Sequence, residues 1–176
     1  MSTIIIITPP PPPPAPPKTT QRVASEVNSA IDQAIKIIGK KYDSEQARVM
    51  LFAIGRQESR FEHRKQVGGP ARGFWQFEKG GGVKGVLTHK ASAAAAKKLC
   101  EALDVEPTAD AVYAALAEND VLAAGFARLL LWTDAAPLPP CKAGAAQDAW
   151  AYYKRNWRPG KPHRQTWDRF WMEAIA

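Results

Sequence analysis

The chain has 176 residues, 45% of them hydrophobic, and it carries a formal net charge of +7. This length and apolar content suffice for one globular domain with its own core. The positive charge is either a solubilising surface excess or an attraction to an anionic polymer, cell wall or nucleic acid, and charge alone does not distinguish these. After the N-terminal region no stretch is long and apolar enough to span a bilayer.

The first 20 residues differ in composition from the rest and are predicted to form an extended tail. Residues 4–7 are four isoleucines, and residues 9–17 are prolines except for Ala15. Such a proline run favours polyproline II and cannot join a helical domain. The isoleucine run has no basic residue before it and is too short for a signal peptide, so no export signal is predicted. It either adds as a strand to a partner's sheet edge or has no partner.

Residues 21–176 are predicted to form a single all-α domain, because helical periodicity recurs along them. Helices are expected at 21–39 (with Thr19 or Thr20 as N-cap), from an N-cap at Asp43 or Ser44 through Glu58, and at 89–102, 107–117, 120–132, 145–156 and 164–174. The helix at 120–132 is apolar on nearly every side and should be the central one. Residues 61–87 lack helical periodicity and are predicted to be irregular. The prediction is six to seven helices, with at most a small β feature near residues 68–88.

Glu58 is the residue around which the domain is organised. It follows Ile54 by four positions and so continues the buried face of its helix. The apolar members of that face are Ala47, Met50, Leu51, Ile54 and Phe61. Burying an ionised carboxylate is unfavourable, so its pKa should rise, as a general acid near neutral pH requires.

Two structural interpretations of Glu58 compete with catalysis. The carboxylate could pair with Arg60, Arg64 or Arg72, or it could be partly exposed at a fraying helix end. The glycines that follow, Gly68, Gly69 and Gly73, permit a tight backbone close to a ligand. The run at residues 74–77, Phe-Trp-Gln-Phe, is suited to the wall of a cleft.

The order of these residues resembles a signature of the soluble lytic transglycosylases and goose-type lysozymes, within the lysozyme-like superfamily. That signature is Glu-Ser, an aromatic three residues after the Glu, and then Gly-Ala-x-Gly-Leu-Met-Gln on a loop. Glu58, Ser59, Phe61 and residues 70–76 (Pro-Ala-Arg-Gly-Phe-Trp-Gln) fall at the same spacing. Pro70 replaces the first motif glycine, and Val67 stands where the family has a serine. The resemblance extends over about residues 44–160 and is specific over 58–76; the family's Tyr-Asn-Ala-Gly motif is absent.

The resemblance implies a lysozyme-like fold and cleavage of the bond between N-acetylmuramic acid and N-acetylglucosamine in peptidoglycan. Glu58 would protonate that bond and then act as base while the 6-hydroxyl of muramic acid closes a 1,6-anhydro ring. Tyr153 matches the family tyrosine that orients the acid, although Tyr152 is adjacent and core packing is an alternative. Gln76 would hydrogen-bond near Glu58 or the sugar.

Three further residues are candidates for substrate binding within the same motif. Ser59 follows the catalytic position, and Phe74 and Trp75 either stack on sugar rings or belong to the core. A hydrolytic lysozyme is the alternative activity and would need a second carboxylate. Glu78 is the candidate for that role, whereas Glu62 is interpreted as a solvated charge.

No cofactor or metal site is predicted, because the three histidines are well separated and the two cysteines lack ligand spacing. Cys100 and Cys141 are either thiols, which is favoured, or one disulfide. Residues 157–164 form a basic, proline-containing loop that would engage peptide-stem carboxylates or nucleic-acid phosphates, or is simply solvated. Nucleic acid is the less favoured partner.

A wall-cleaving domain without an export signal is typical of a bacteriophage protein. The predicted setting is a phage virion, tail- or capsid-associated, with action in the host periplasm or cell wall. An endolysin in the host cytoplasm before release is the alternative. The tail would then contact other virion proteins. A structural virion component with an inert lysozyme-like domain is a further alternative.

Overall fold

Eight α-helices account for most of residues 18–176, the part of the chain that this computed structural model describes. Their bounds are α1 Lys18–Ile38, α2 Glu45–Ser59, α3 Lys84–Thr88, α4 Ala93–Ala102, α5 Ala109–Ala115, α6 Asp120–Thr133, α7 Ala146–Trp157 and α8 Arg164–Ile175. The predicted all-α class is confirmed. Among the described residues no helix combines the length and apolar character needed to cross a membrane. Most of the predicted tail, residues 1–17, lies outside the described residues.

The helix α6 is the central buried element, as its apolar composition predicts. Asn119 caps it by accepting a hydrogen bond from the Leu122 amide at 2.9 Å. Nearly every residue from 122 to 131 is buried. The helices α1, α2 and α4 pack around it. A helix that is apolar on all sides requires such surroundings, so α6 organises the core.

The helix α2 begins and ends where its sequence contains the appropriate signals. Ser44 is the N-cap, and its hydroxyl accepts from the Ala47 amide at 3.1 Å. The helix ends at Ser59, because Arg60 and Phe61 adopt left-handed φ values of 55° and 59°. This reversal folds the Phe61 ring back onto the helix. The ring lies where a side chain at Gly55 would otherwise be, since an added Cβ would stand 2.1 Å from Phe61 Cε1.

Two predictions about the helices differ from the structure. The helix α1 begins at Lys18, so its helical backbone already includes Thr19 and Thr20 and neither is the N-cap. Residues 79–88 are helical, with a π-helical turn at Lys79–Val83 that continues into α3. The prediction of an irregular segment was therefore wrong there; the three glycines mask the helical periodicity. The small β feature consists of isolated antiparallel bridges, Lys65 with Arg72 and Arg72 with Phe77.

The two cysteines are separate thiols. Cys100 is buried in α4, and Cys141 is partly buried in the segment before α7. The disulfide alternative was therefore wrong. Burial raises the pKa of the Cys100 thiol to about 11, which keeps it protonated and chemically inert.

Candidate active site

An open cleft of about 1300 Å³ crosses the C-terminal end of α2. One side comes from the segment between α2 and α3, and the opposite side comes from the end of α7 and the loop that follows it. Residues of α6 contribute to its lining. The polar and aromatic residues lining it include Gln57, Glu58, Gln66, Gln76, Phe77, Glu78, Tyr153, Arg155, Asn156 and Trp157. A cleft of this size admits several sugar rings or a comparable polymer segment.

Glu58 lies in this cleft, one residue before the end of α2. The residue is partly exposed to the cleft, but protein atoms surround its carboxyl group. This burial raises the pKa of Glu58 to about 7, and a hydrogen bond from Tyr153 acts in the opposite direction. The carboxyl therefore holds a proton in an appreciable fraction of molecules at neutral pH.

Two of the three arginines that could have paired with Glu58, Arg64 and Arg72, have other partners. Arg64 forms a bidentate ion pair with Asp120, at 2.9 and 2.7 Å. Arg72 donates from Nη1 to the carbonyl oxygens of Gly69 and Ala71. Among the described side chains, Glu58 takes part in no ion pair. The ion-pair interpretation of Glu58 is therefore not what the structure contains.

Tyr153 holds the Glu58 carboxyl in place. Its hydroxyl donates to Glu58 Oε1 at 2.5 Å. The ring is buried and stacks on Trp167, with centroids 5.1 Å apart and planes 13° from parallel. Burial, followed by the proximity of the Glu58 carboxylate, raises the pKa of Tyr153, so its hydroxyl remains a donor. Tyr152 points elsewhere and donates to the carbonyl of Leu131 at 3.0 Å.

Ser59, Phe74 and Trp75 do not line the cleft, and for Phe74 and Trp75 their burial supports the core alternative over stacking on sugars. All three are buried, and Trp75 is fully so. The Trp75 indole donates to the Leu51 carbonyl at 2.8 Å, and the Ser59 hydroxyl donates to the Phe74 carbonyl at 2.7 Å. An indole N–H that finds its acceptor inside the protein permits complete burial of the ring. These residues fix the motif loop to α2 and support the site from beneath.

Gln76 reaches the cleft because of a tight turn. Gly73 has a φ of 73°, and a Cβ there would lie 3.0 Å from the Leu116 carbonyl oxygen. Gln76 itself has a φ of 50°, and its Nε2 donates to the Gly73 carbonyl at 2.9 Å. The turn thus places Gln76 on the wall of the cleft that contains Glu58. Its observed hydrogen bond is to Gly73, whereas the resemblance implied one near Glu58.

The two other predicted carboxylates lie in different places. Glu78 is exposed and lines the same cleft as Glu58. Glu62 is exposed outside the cleft lining, with its carboxylate 3.9 Å from the His63 imidazole. Glu62 is thus the solvated charge that was expected, and only Glu78 shares the cleft.

Trp157 is a cleft residue that sequence reasoning assigned only to the basic loop. It is the last residue of α7, and its indole donates to the Trp75 carbonyl at 2.8 Å. Its ring packs edge-on against Phe77 at 6.0 Å. Trp157 therefore joins the two walls at the cleft floor. Its spacing of four from Tyr153 on one helix was the signal that could have revealed it.

Gln57 is a second residue that sequence reasoning missed. It immediately precedes Glu58, and its Nε2 donates to the His163 carbonyl at 3.0 Å. Its Oε1 accepts from the Thr166 hydroxyl, also at 3.0 Å. Both amide atoms are thus used to attach the loop before α8 to the end of α2. No local sequence pattern links residues more than 100 positions apart.

Comparison of the chain with known proteins gives no match from which a function could be inferred. No family model, no curated protein and no solved structure matches this chain. Any function must therefore be argued from the geometry and chemistry of the cleft.

Proposed function

We propose that the protein is a peptidoglycan-cleaving enzyme, a lytic transglycosylase in which Glu58 is the catalytic acid and base. The observation that supports this most directly is the Glu58 carboxyl itself. It is surrounded by protein, has a pKa near 7, forms no ion pair with a described residue and opens onto a long cleft. A carboxyl of this kind donates and accepts a proton at neutral pH, which glycosidic bond cleavage requires.

The proposed reaction uses one carboxyl twice. Glu58 donates its proton to the oxygen that leaves with N-acetylglucosamine, and the bond from this oxygen to C1 of N-acetylmuramic acid breaks. The ionised Glu58 then accepts the proton of the muramic acid 6-hydroxyl, whose oxygen bonds to C1. The products are a 1,6-anhydro end and a free glucosamine 4-hydroxyl. No water is consumed, and Glu58 is protonated again.

Tyr153 and Gln76 have supporting roles in this proposal. The Tyr153 hydroxyl fixes one carboxyl oxygen of Glu58, which directs the other toward the bond to be cleaved. The same hydrogen bond stabilises the carboxylate after the first proton transfer. Gln76 offers an amide on the cleft wall, where it is suited to hydrogen-bond a sugar substituent.

A hydrolytic lysozyme is the second candidate, and the position of Glu78 favours it. This exposed carboxylate lines the same cleft and could activate a water molecule from the opposite side of the sugar. The two candidates differ in product, because hydrolysis leaves a reducing end where the transglycosylase leaves an anhydro ring.

The test is digestion of purified peptidoglycan by the wild type, Glu58→Gln and Glu78→Gln, with products identified by mass spectrometry. Anhydro-muropeptides from the wild type and Glu78→Gln, with none from Glu58→Gln, are expected. Reducing-end products that require Glu78 would support the lysozyme. Full activity in Glu58→Gln would refute both mechanisms.

The proposed setting is a bacteriophage virion, and its test is separate. Particles carrying Glu58→Gln should assemble normally and lose infectivity if wall cleavage is the role of the domain. Fully infective particles would instead favour the structural alternative with an inert domain.

A further inference from the structure

The basic loop between α7 and α8, residues 158–163, lies along one rim of the cleft. Arg158, Lys161 and His163 come from this loop, and Lys84 faces the cleft from the opposite side. The loop is cationic, and the proposed reaction at Glu58 makes no use of its charge.

The charge of the rim is not compensated by neighbouring acids. Arg155 pairs with Asp134 at 2.7 Å. In contrast, Arg158, Lys161 and Lys84 form no ion pair with any described residue. The acids of the cleft are Glu58, which is partly protonated at neutral pH, and Glu78. The rim therefore carries an excess of positive charge directed at whatever occupies the cleft.

The loop is held in a defined position beside the candidate acid. Arg158 ends α7 with a φ of 49°, and its amide donates to the Lys154 carbonyl at 3.0 Å. At the other end of the loop, the Gln57 side chain donates to the His163 carbonyl. Pro159 and Pro162 restrict the backbone between these two attachments. Because Gln57 adjoins Glu58, the position of these cations is coupled to the position of the acid.

On the basis of the proposed function, we propose that residues 158–163 bind the free carboxylates of peptidoglycan stem peptides. In intact peptidoglycan the lactyl carboxyl of muramic acid is amide-linked to the stem peptide, so the sugars are uncharged and their cleavage alone does not call for cations. The stem peptides branch from the muramic acid whose bond Glu58 would cleave, and they carry free carboxylates. Cations fixed beside the acid lie where such branches leave the glycan. The protein should therefore prefer glycan whose stem peptides carry free carboxylates over the same glycan with those carboxylates converted to amides.

The test compares cleavage of teichoic-acid-free sacculi with cleavage of the same sacculi after carbodiimide-activated coupling to ammonia has converted their free carboxylates to amides. The wild type should cleave the untreated sacculi faster. In the double variant Arg158→Gln/Lys161→Gln the ratio of the two rates should fall toward one, by roughly twofold to fivefold per cation. Added salt should reduce the wild-type ratio in the same direction. Equal rates for the wild type, or an unchanged ratio in the double variant, would overturn the proposal.

A matched control separates this effect from the loss of net charge. Lys36 and Lys98 are exposed on α1 and α4, form no ion pair with a described residue and lie outside the cleft lining. The variant Lys36→Gln/Lys98→Gln removes the same charge and should keep the wild-type ratio. A comparable fall in this control would also overturn the proposal, because it would assign the preference to overall charge.

A binding arm distinguishes failure of this inference from failure of the proposed function. If the wild type cleaves neither substrate, the proposed function fails, and co-sedimentation with untreated and amidated sacculi tests the loop alone. Carboxylate-dependent binding that the double variant loses supports the loop's role, and carboxylate-independent binding refutes it. Salt-sensitive binding to duplex DNA that exceeds binding to sacculi and is lost in the double variant would reassign the loop to nucleic acid.

Discussion

Replacement of Glu58 by Gln should make the domain more stable above neutral pH and change its stability little in acid. In the wild type the pKa of Glu58 rises from 4.5 to about 7 on folding. A raised acid pKa means that the folded state binds the proton more tightly than the unfolded chain. Stability is therefore fully present below pH 4.5 and falls as pH rises through 7.

The magnitude follows from the same shift. Each pKa unit corresponds to about 1.4 kcal/mol, so the rise from 4.5 to about 7 gives about 3 kcal/mol of lost stability once Glu58 is ionised. Glutamine has no charge to desolvate and retains an oxygen that accepts from Tyr153. We expect the free energy of unfolding of Glu58→Gln to exceed that of the wild type by roughly 3 kcal/mol at pH 8 and to be close to it at pH 4.

Denaturant unfolding at both pH values, followed by tryptophan fluorescence, measures this difference. Glu78→Gln is the matched control, because its exposed side chain meets water in both states. In this control the difference from wild type should be the same at both pH values. A Glu58→Gln variant whose gain is equally small at pH 4 and pH 8 would show that burial does not perturb this carboxyl, and the argument for an acid would lose its basis.

Three further predictions concern the surroundings of Glu58. In Tyr153→Phe the pKa of Glu58 should rise further, because the hydrogen bond that is lost lowers this pKa in the wild type. The alkaline limb of the pH–activity profile should then move to higher pH, and an unmoved limb would exclude Glu58 as its origin. Ser59→Ala should lower the free energy of unfolding by about 1–3 kcal/mol, because the Phe74 carbonyl loses its buried donor; a neutral result in denaturation would show that the loop is held by other contacts. Gly73→Ala should be destabilising by about 1–2 kcal/mol or more, because φ is positive there and the added Cβ would crowd the Leu116 carbonyl oxygen. Gly85→Ala is the control: this residue lies in helix α3 with open space around it, so the variant should be neutral or stabilising. Equal melting temperatures for the two variants would contradict this reasoning.

Sequence patterns predicted the helices well where apolar spacing and capping residues agreed. The helix α2 has both a periodic apolar face and the Ser44 cap, and α6 has the Asn119 cap before a continuous apolar run. The segment at 79–88 had neither signal. Its helical turns are formed by glycines that carry no side chain to report periodicity. The prediction failed there for a physical reason.

The candidate site was predictable in part. The position of Glu58 on a buried face follows from its helix, and the raised pKa follows from burial. The contact with Tyr153 required the resemblance, because 95 positions separate the two residues. The burial of Phe74 and Trp75 could not be predicted from the sequence, because an aromatic residue suits a sugar-binding surface and a core equally. The fold places the Leu51 carbonyl where it accepts from the Trp75 indole, and this contact allows Trp75 to be buried.

The burial of one charged residue inside α6 was also not predicted from the apolar periodicity of that helix. Arg128 lies within the most apolar helix and is almost fully buried. Its Nε donates to the Tyr42 carbonyl at 2.5 Å, and its guanidinium lies over the Trp132 ring. Burial lowers the pKa of Arg128 to about 10. Periodicity would place such a residue at the surface, whereas the Tyr42 carbonyl from another part of the chain and the Trp132 ring one turn further along α6 make burial possible.

The hydrogen bond between Tyr153 and Glu58 also bears on the order in which the protein folds. Local helical contacts form quickly, whereas closing a loop of 95 residues carries a larger entropic cost. The stacked ring of Trp167, from α8, must also be in place before Tyr153 is held. The raised pKa of Glu58 therefore arises late, when α7 and α8 have docked against α2. A folding intermediate with α2 formed but α7 and α8 undocked would contain an ordinary, solvated carboxylate and no candidate active site.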